Sequence, residues 1–391
     1  MLEEKKIPYR VEKINMRCYG DKPASFTRIQ PSGAIPVAEI DGRIYGQSND
    51  IMFALEELFT PENGHKSLSP EPSNNGVARD LLRLERELFS AWMYWLTGGG
   101  EQSKRSFIQV LKKVEKTLSN KGPFFMGKEV TLVDFMFASF LERMAASMLY
   151  FKGFMIRVAP GSPTDFPSVN KWFDAMEELK SYQLTKSDYY THCWDLPPQL
   201  GGCRYEKGCE PFEKAINGER TLDGTRGSWE LPLEPHNGGV EPDWPWAAAT
   251  DAMAQREAVE RVTANFEAIV KFACRGAGKK GVPPFSAPLS DPYAQPSQAV
   301  ESAVDASLRL IMQALLDGVE THDASISDLS KSVVAEGGFE YSQGVIDSLA
   351  YLRDRVGVPR DMRLPAARQL RAHLNWAIGK ILEAKDVAAK A

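Results

Sequence analysis

Gln47-Ser48-Asn49-Asp50 stands directly ahead of the apolar run Ile51-Met52-Phe53-Ala54-Leu55. A short hydroxyl residue before such a run predicts a helix start with Ser48 as N-cap. Free backbone N–H groups beside a hydroxyl make such a start a ready site for a carboxylate. Other groups able to do chemistry are more scattered. His192, Cys193, Cys203 and Cys209 are potential metal ligands, but zinc favours two close ligand pairs and these spacings do not supply two. No metal site is expected, and the stretch reads instead as a tail packed over a helical domain. Arg353, Arg355, Arg360, Arg363, Arg368, Arg371 and His373 could meet an acidic partner. With Asp347, Asp354 and Asp361 among them, a solvated basic face is the expected reading. No P-loop, dinucleotide fingerprint or Ser-His-Asp arrangement is present.

The elements that must position these residues can be read from local pattern. Val37-Ala38-Glu39-Ile40 and Arg43-Ile44-Tyr45 flank Asp41-Gly42, a strong hairpin signal. Pro36 cannot donate a ladder hydrogen bond, so it belongs at the first residue of the strand, a place that suits a cis bond. Met1 to Lys6 reads as the last turn of a helix, and Tyr9 to Asn15 alternates as a strand should. Thr60 to Gly76, rich in Pro, Asn, Ser and Gly, reads as a linker. Helical periods follow over Val77 to Leu96 and Glu101 to Leu118, where Trp92 and Tyr94 are expected in the core. Thr131-Leu132-Val133-Asp134 is a capping box ahead of an apolar run, and Pro167 suits the first turn of a further helix. Residues 195 to 245 read as irregular. Helical patterns return over Ala247 to Arg275, Gln298 to Gly318, Tyr341 to Val356 and Pro365 to Ala384.

The run Pro31-Ser32-Gly33-Ala34-Ile35-Pro36-Val37-Ala38-Glu39-Ile40-Asp41-Gly42, completed by Gln47-Ser48, resembles the glutathione half of the cytosolic glutathione transferases. The box at Thr131 and the helix start at Pro167 fit the helical half of that family, so the resemblance covers roughly residues 1–195. It implies an α+β chain with an incomplete thioredoxin-like domain (1–59) and an all-helical transferase domain (76–195), to which the local patterns add an irregular linker (196–245) and an extra helical bundle (246–391). It also implies glutathione as co-substrate. In that family the residue before a cis-proline pairs its backbone with the tripeptide's cysteine, a role that falls on Ile35 and Pro36. An acidic or amide residue followed by Ser holds the γ-glutamyl end, a role that falls on Gln47 and Ser48. Gln47 replaces the commoner glutamate, and Ala34 stands where many members place a basic residue for the glycine carboxylate.

The family's first strand, most of its first helix and the turn bearing its catalytic Ser, Cys or Tyr are expected before Leu2. No catalytic residue is therefore assigned. Cys18 and Tyr19 are the nearest substitutes by type, but they follow a different strand. Two functions are carried forward. One is an enzyme that turns the thiolate of bound glutathione on an electrophile or a disulfide. The other is a non-catalytic scaffold built on the same fold. Family members are commonly dimers through the helical domain, so a homodimer is the expected assembly.

The totals exclude several classes. A net charge of −5 over 391 residues does not suit a nucleic-acid binder. No apolar run reaches the length of a membrane span, since Phe135 to Phe154 is interrupted by Glu142, Arg143 and Lys152. Five cysteines at irregular spacing suit a reducing compartment. The expectation is a cytoplasmic protein, or one of an organelle such as a plastid should a transit peptide precede it.

Overall fold

The computed structural model describes residues 1–219, 227–233, 240–241 and 251–390. The chain divides into two compact units, Met1–Glu210 and Pro211–Ala391. The first begins with a single turn of helix, α1 (Leu2–Lys5), and a short helix α2 (Ala24–Ile29). Strands β1 (Val37–Ile40) and β2 (Arg43–Gly46) pair antiparallel, with Val37 opposite Gly46 and Ile40 opposite Arg43. Asp41 (φ 50°) and Gly42 (φ 78°) close the hairpin with positive φ at both central residues, the backbone that an Asp-Gly pair tolerates best. Helix α3 (Ser48–Leu58) leaves the end of β2.

The strand expected over Tyr9 to Asn15 does not form: these residues have no regular structure, and β1 and β2 are each other's only sheet partners among the described residues. Alternation predicts a strand only when one face is buried and a neighbour accepts its hydrogen bonds. Here Tyr9 and Val11 are exposed.

The helical part of the first unit is built from α4 (Asn75–Gly98), α5 (Glu101–Lys121), α6 (Leu132–Lys152), α7 (Pro167–Glu177), the turn α8 (Lys180–Gln183) and α9 (Tyr189–Leu200). Their apolar faces enclose Trp92, Trp95, Trp172, Phe107, Phe125 and Phe137. Trp92 is a core residue as expected, and its indole N–H donates to Ser147 Oγ at 3.0 Å. Tyr94 is exposed instead, one position round from the buried stripe.

The capping box at α6 forms and serves as a hub. The Asp134 carboxylate accepts the Thr131 N–H (2.9 Å) and hydroxyl (3.0 Å), the Phe125 N–H (3.0 Å) and the Trp172 indole N–H (3.0 Å). Burial still holds its carboxyl above the usual range. Helix α7 is capped from α5, where Glu115 accepts the N–H groups of Ser168 and Val169 at 2.9 to 3.0 Å.

The stretch 196–245, expected to be irregular, carries the end of α9 and a further helix α10 (Glu210–Ile216). Asp188 caps α9 by accepting the Thr191 N–H at 3.0 Å. Pro197 and Pro198, which ordinarily end a helix, lie inside α9 and hide it from a reading by pattern.

The second unit continues with α11 (Asp251–Thr263), α12 (Phe266–Ala273), α13 (Glu301–Asp317), α14 (Val319–Arg355) and α15 (Leu364–Lys390). Leu308, Ile311, Val345, Leu349, Leu370 and Leu374 lie in its continuous apolar core. The expected start at Ala247 falls outside the described residues. The first half of α14 was not expected, and its two halves meet at Gly338, whose φ of 67° and ψ of −163° leave the helical region.

The expected solvated arginine face is corrected: Arg368, Arg371 and His373 are buried. The Arg371 guanidinium lies 4.7 Å from the Trp229 ring and donates to the Val356 carbonyl at 2.6 Å. Arg363 pairs with Glu257 at 2.5 Å and Arg353 with Asp354 at 2.7 Å. Long stems and planar heads let these residues enter a helix interface once each charge finds a partner.

Candidate functional site

The antiparallel register explains why residues twelve positions apart share one surface. Val37 faces Gly46, so the residues that precede β1, Ile35 and Pro36, lie at the same end of the hairpin as Gln47 and Ser48, which follow β2. The Ile35-Pro36 bond is cis. Ile35 is 40% exposed, and Pro36, Gln47 and Ser48 are exposed as well. The four residues form an open surface.

Helix α3 begins one residue earlier than expected. Gln47 is the N-cap and Ser48 the first helical residue, so the expected capping role of Ser48 is corrected. Gln47 holds φ 65° and ψ 138°, backbone that a side-chain-bearing residue rarely adopts and that costs about 1 to 3 kcal/mol. Its carbonyl accepts the Ile51 N–H at 3.1 Å, the first bond of the helix. The N–H groups of the first turn therefore point out of the helix toward the end of the hairpin, with the Ser48 hydroxyl among them. This is the arrangement that receives a carboxylate.

Two flanking side chains were missed from the sequence. Lys22, just ahead of α2, folds across the loop before Ile35: a Cβ on Gly33 would sit 3.4 Å from its Cδ and 3.5 Å from its Cε. Its ammonium donates to the Asn15 carbonyl at 2.7 Å and lies 5.4 Å from the Phe26 ring. Its stem thus lies against Gly33, the neighbour in sequence of Ala34. On the other side the Gln30 amide nitrogen lies 3.1 Å from a Cβ position on Gly46, next to Gln47. Neither has a sequence signal, because only the fold back from α2 to the hairpin brings them there.

The two candidate thiol activators are placed elsewhere. Burial pushes the Cys18 thiol above its ordinary range, which lowers its thiolate fraction. The Tyr19 hydroxyl donates to Asp195 on α9. Among the described residues no three His, Cys, Asp or Glu side chains converge as metal ligands would, and no helix is long and apolar enough to cross a membrane.

Residues 1–58 match the family model described as glutathione S-transferase, N-terminal domain, and residues 75–175 match glutathione S-transferase, C-terminal domain. Glutathione S-transferase DHAR2 of Arabidopsis thaliana is 28% identical over 48% of this chain and 79% of its own length. The chloroplastic glutathione S-transferase DHAR3 of the same plant is 23% identical over 48% of this chain and 66% of its own length. Among solved structures, dehydroascorbate reductase of Chlamydomonas reinhardtii aligns with a TM-score of 0.36 at 23% identity, over 46% of this chain and 78% of that one. Leishmania TDR1, described as a trimeric glutathione transferase, aligns with a TM-score of 0.45 at 13% identity, over 100% of this chain and 95% of that one.

Proposed function

We propose, for a chain that belongs to the glutathione S-transferase superfamily through residues 1–58 and 75–175, that the open end of its hairpin binds glutathione and presents the thiol to an electrophile or a disulfide. The observation that carries this reading is the convergence of Ile35, Pro36, Gln47 and Ser48 at one end of the β1–β2 register. The γ-glutamyl carboxylate would sit on the first turn of α3, hydrogen-bonded by the Ser48 hydroxyl and N–H groups. The Gln47 side-chain carbonyl would accept from the ligand's ammonium. The backbone of Ile35, extended ahead of Pro36, would pair with the cysteine residue in the manner of an added strand. Lys22 would face the glycine carboxylate in place of the cation absent at Ala34.

Chemistry at the thiol would then be nucleophilic. The thiolate attacks an electrophilic carbon and displaces its leaving group, or attacks one sulfur of a disulfide and releases the other as thiolate. Positive charge from Lys22 and the α3 N-terminus favours the anionic ligand.

A second reading rests on a specific observation: Cys18 is held protonated by burial and the Tyr19 hydroxyl is engaged with Asp195, so neither serves the thiol. On that reading the chain binds glutathione, or simply keeps the fold, as a scaffold. Calorimetric titration of the full chain with reduced glutathione, paired with turnover assays on a chloronitrobenzene and on a dialkyl disulfide, separates the readings. Binding weakened in Ser48→Ala with turnover in the unaltered chain supports the enzyme. Binding without turnover on either probe supports the scaffold, and absence of binding removes the glutathione site altogether.

A further inference from the structure

We propose that a second site, a cavity of about 650 Å³ between α1 and α8, takes a small polyvalent oxyanion, a phosphate ester or a di- or tricarboxylate, between the ammonium groups of Lys6 and Lys180. This site is separate in residues from the hairpin surface and does not rest on the glutathione reading. Its lining combines the charged heads of Glu3, Glu4, Lys6, Lys66 and Lys180 with apolar surface from Leu184 and the lysine stems. The charged heads suit a ligand that carries charge of its own.

The charges in the wall are not balanced. Lys5 is buried against Glu56 at 2.7 Å and donates to the Lys66 carbonyl at 2.8 Å, so its charge is spent inside the fold. Lys66 pairs with Glu4 at 2.7 Å, and the other Glu4 oxygen accepts the Ser181 hydroxyl at 2.7 Å. Glu3 accepts the Tyr9 hydroxyl at 2.6 Å. Glu4 is thus paired with a cation, whereas Glu3 meets only a neutral hydroxyl, so Lys6 and Lys180 together leave the wall with a surplus of positive charge. Lys6 and Lys180 line the same cavity, and no ion pair holds either of them among the described residues. Two cations facing one cavity favour an anion with more than one charged oxygen group.

The backbone at Lys6 supports the assignment. Lys6 ends α1 in the left-handed region (φ 52°, ψ 41°), where its N–H donates to Glu3 and the Ile7 N–H donates to Leu2. Helices closed by this motif usually place Gly there, because a side chain in that conformation is strained. A lysine in that place sets a cation at the rim of the cavity, a use that glycine could not serve.

The test titrates the full chain with inorganic phosphate and with citrate, each at constant ionic strength, while following 31P line width for phosphate and thermal unfolding for both. The expected result is a saturable response to at least one of the two. Affinity should fall at least tenfold in the double variant Lys6→Gln, Lys180→Gln, with glutathione affinity unchanged. A response to phosphate alone assigns phosphate esters, and one to citrate alone assigns carboxylates. An unsaturable response in the unaltered chain overturns the site, as does full retention in the double variant. Lys180→Glu alone, on an exposed residue, keeps the test decisive should the double variant fail to fold: it should abolish the response, and an unchanged response would overturn the assignment.

Discussion

Within the first unit, the hairpin half and the helical half are built to opposite rules. In residues 1–59 the buried apolar side chains are Ile7, Ala54 and Leu55, while Ile35, Ile44, Phe53 and Leu58 are exposed. In the helical half Trp92, Trp95, Trp172, Phe107, Phe125 and Phe137 are all but fully enclosed, and the indole N–H groups among them are satisfied by Ser147, Glu206 and Asp134. The difference teaches where stability and binding are stored. Close packing and satisfied hubs make the helical half the rigid partner. The hairpin half leaves N–H groups and a strained Gln47 on the surface, an arrangement that contributes little to stability and is suited to meeting a ligand.

Substitutions in the two halves should therefore fail in different ways. Asp134→Ala leaves the donors of Phe125, Thr131 and Trp172 buried without an acceptor, and a loss of about 3 to 5 kcal/mol is expected. Denaturant unfolding would show this as a shift of the midpoint. A variant within about 1 kcal/mol of the unaltered chain would mean that the hub does not anchor the helical half. Ser48→Ala removes a hydroxyl from an exposed surface. Calorimetry should show glutathione bound roughly tenfold more weakly, about 1.4 kcal/mol, with the unfolding midpoint unmoved.

Gln47→Gly sharpens the contrast further, because it relieves the positive φ and removes the side-chain amide. Stability should hold or rise by about 1 kcal/mol while glutathione binding weakens. A fall in both would place Gln47 among the structural residues.

The smallest expected effect lies in the second unit. Burial holds the His373 imidazole below its ordinary value of 6.5, with its bond to the Gln369 carbonyl offsetting this in part. The unfolded chain then binds the proton more readily than the folded one. The stability from the neutral imidazole is present above pH 6.5 and is lost as pH falls from there through the lower folded value. Thermal unfolding between pH 8 and pH 5 should be less pH-sensitive in His373→Gln than in the unaltered chain, and equal slopes would contradict the assignment.

What the sequence revealed follows the same division. The capping box at Thr131, the Asp41-Gly42 turn and the helix starts at Glu101 and Pro167 are local devices, legible because residues a few positions apart determine them. Pro36 and Ser48 could be singled out for the same reason, from a strand start and a helix start, whereas Ile35 and Gln47 were pointed to by the resemblance to the glutathione transferases. Val11 to Asn15 misled because alternation cannot report whether a neighbouring strand exists. Arg368 and Arg371 misled because sequence assigns charge to the surface, whereas packing against Trp229 and the Val356 carbonyl draws Arg371 inward. Lys22 was invisible because its relation to Gly33 is tertiary. The first half of α14 was missed because Ser, Asp and Glu dilute a stripe made by Ile326, Leu329 and Val333.

The most direct measurement is a backbone amide 1H–15N spectrum of the full chain with and without reduced glutathione. The account predicts shifts concentrated at Ile35, at Gln47 through Ile51 and at Lys22, with Phe125, Thr131 and Asp134 unmoved. A spectrum unchanged at millimolar glutathione, or shifts confined to residues away from that end of the hairpin, would contradict it.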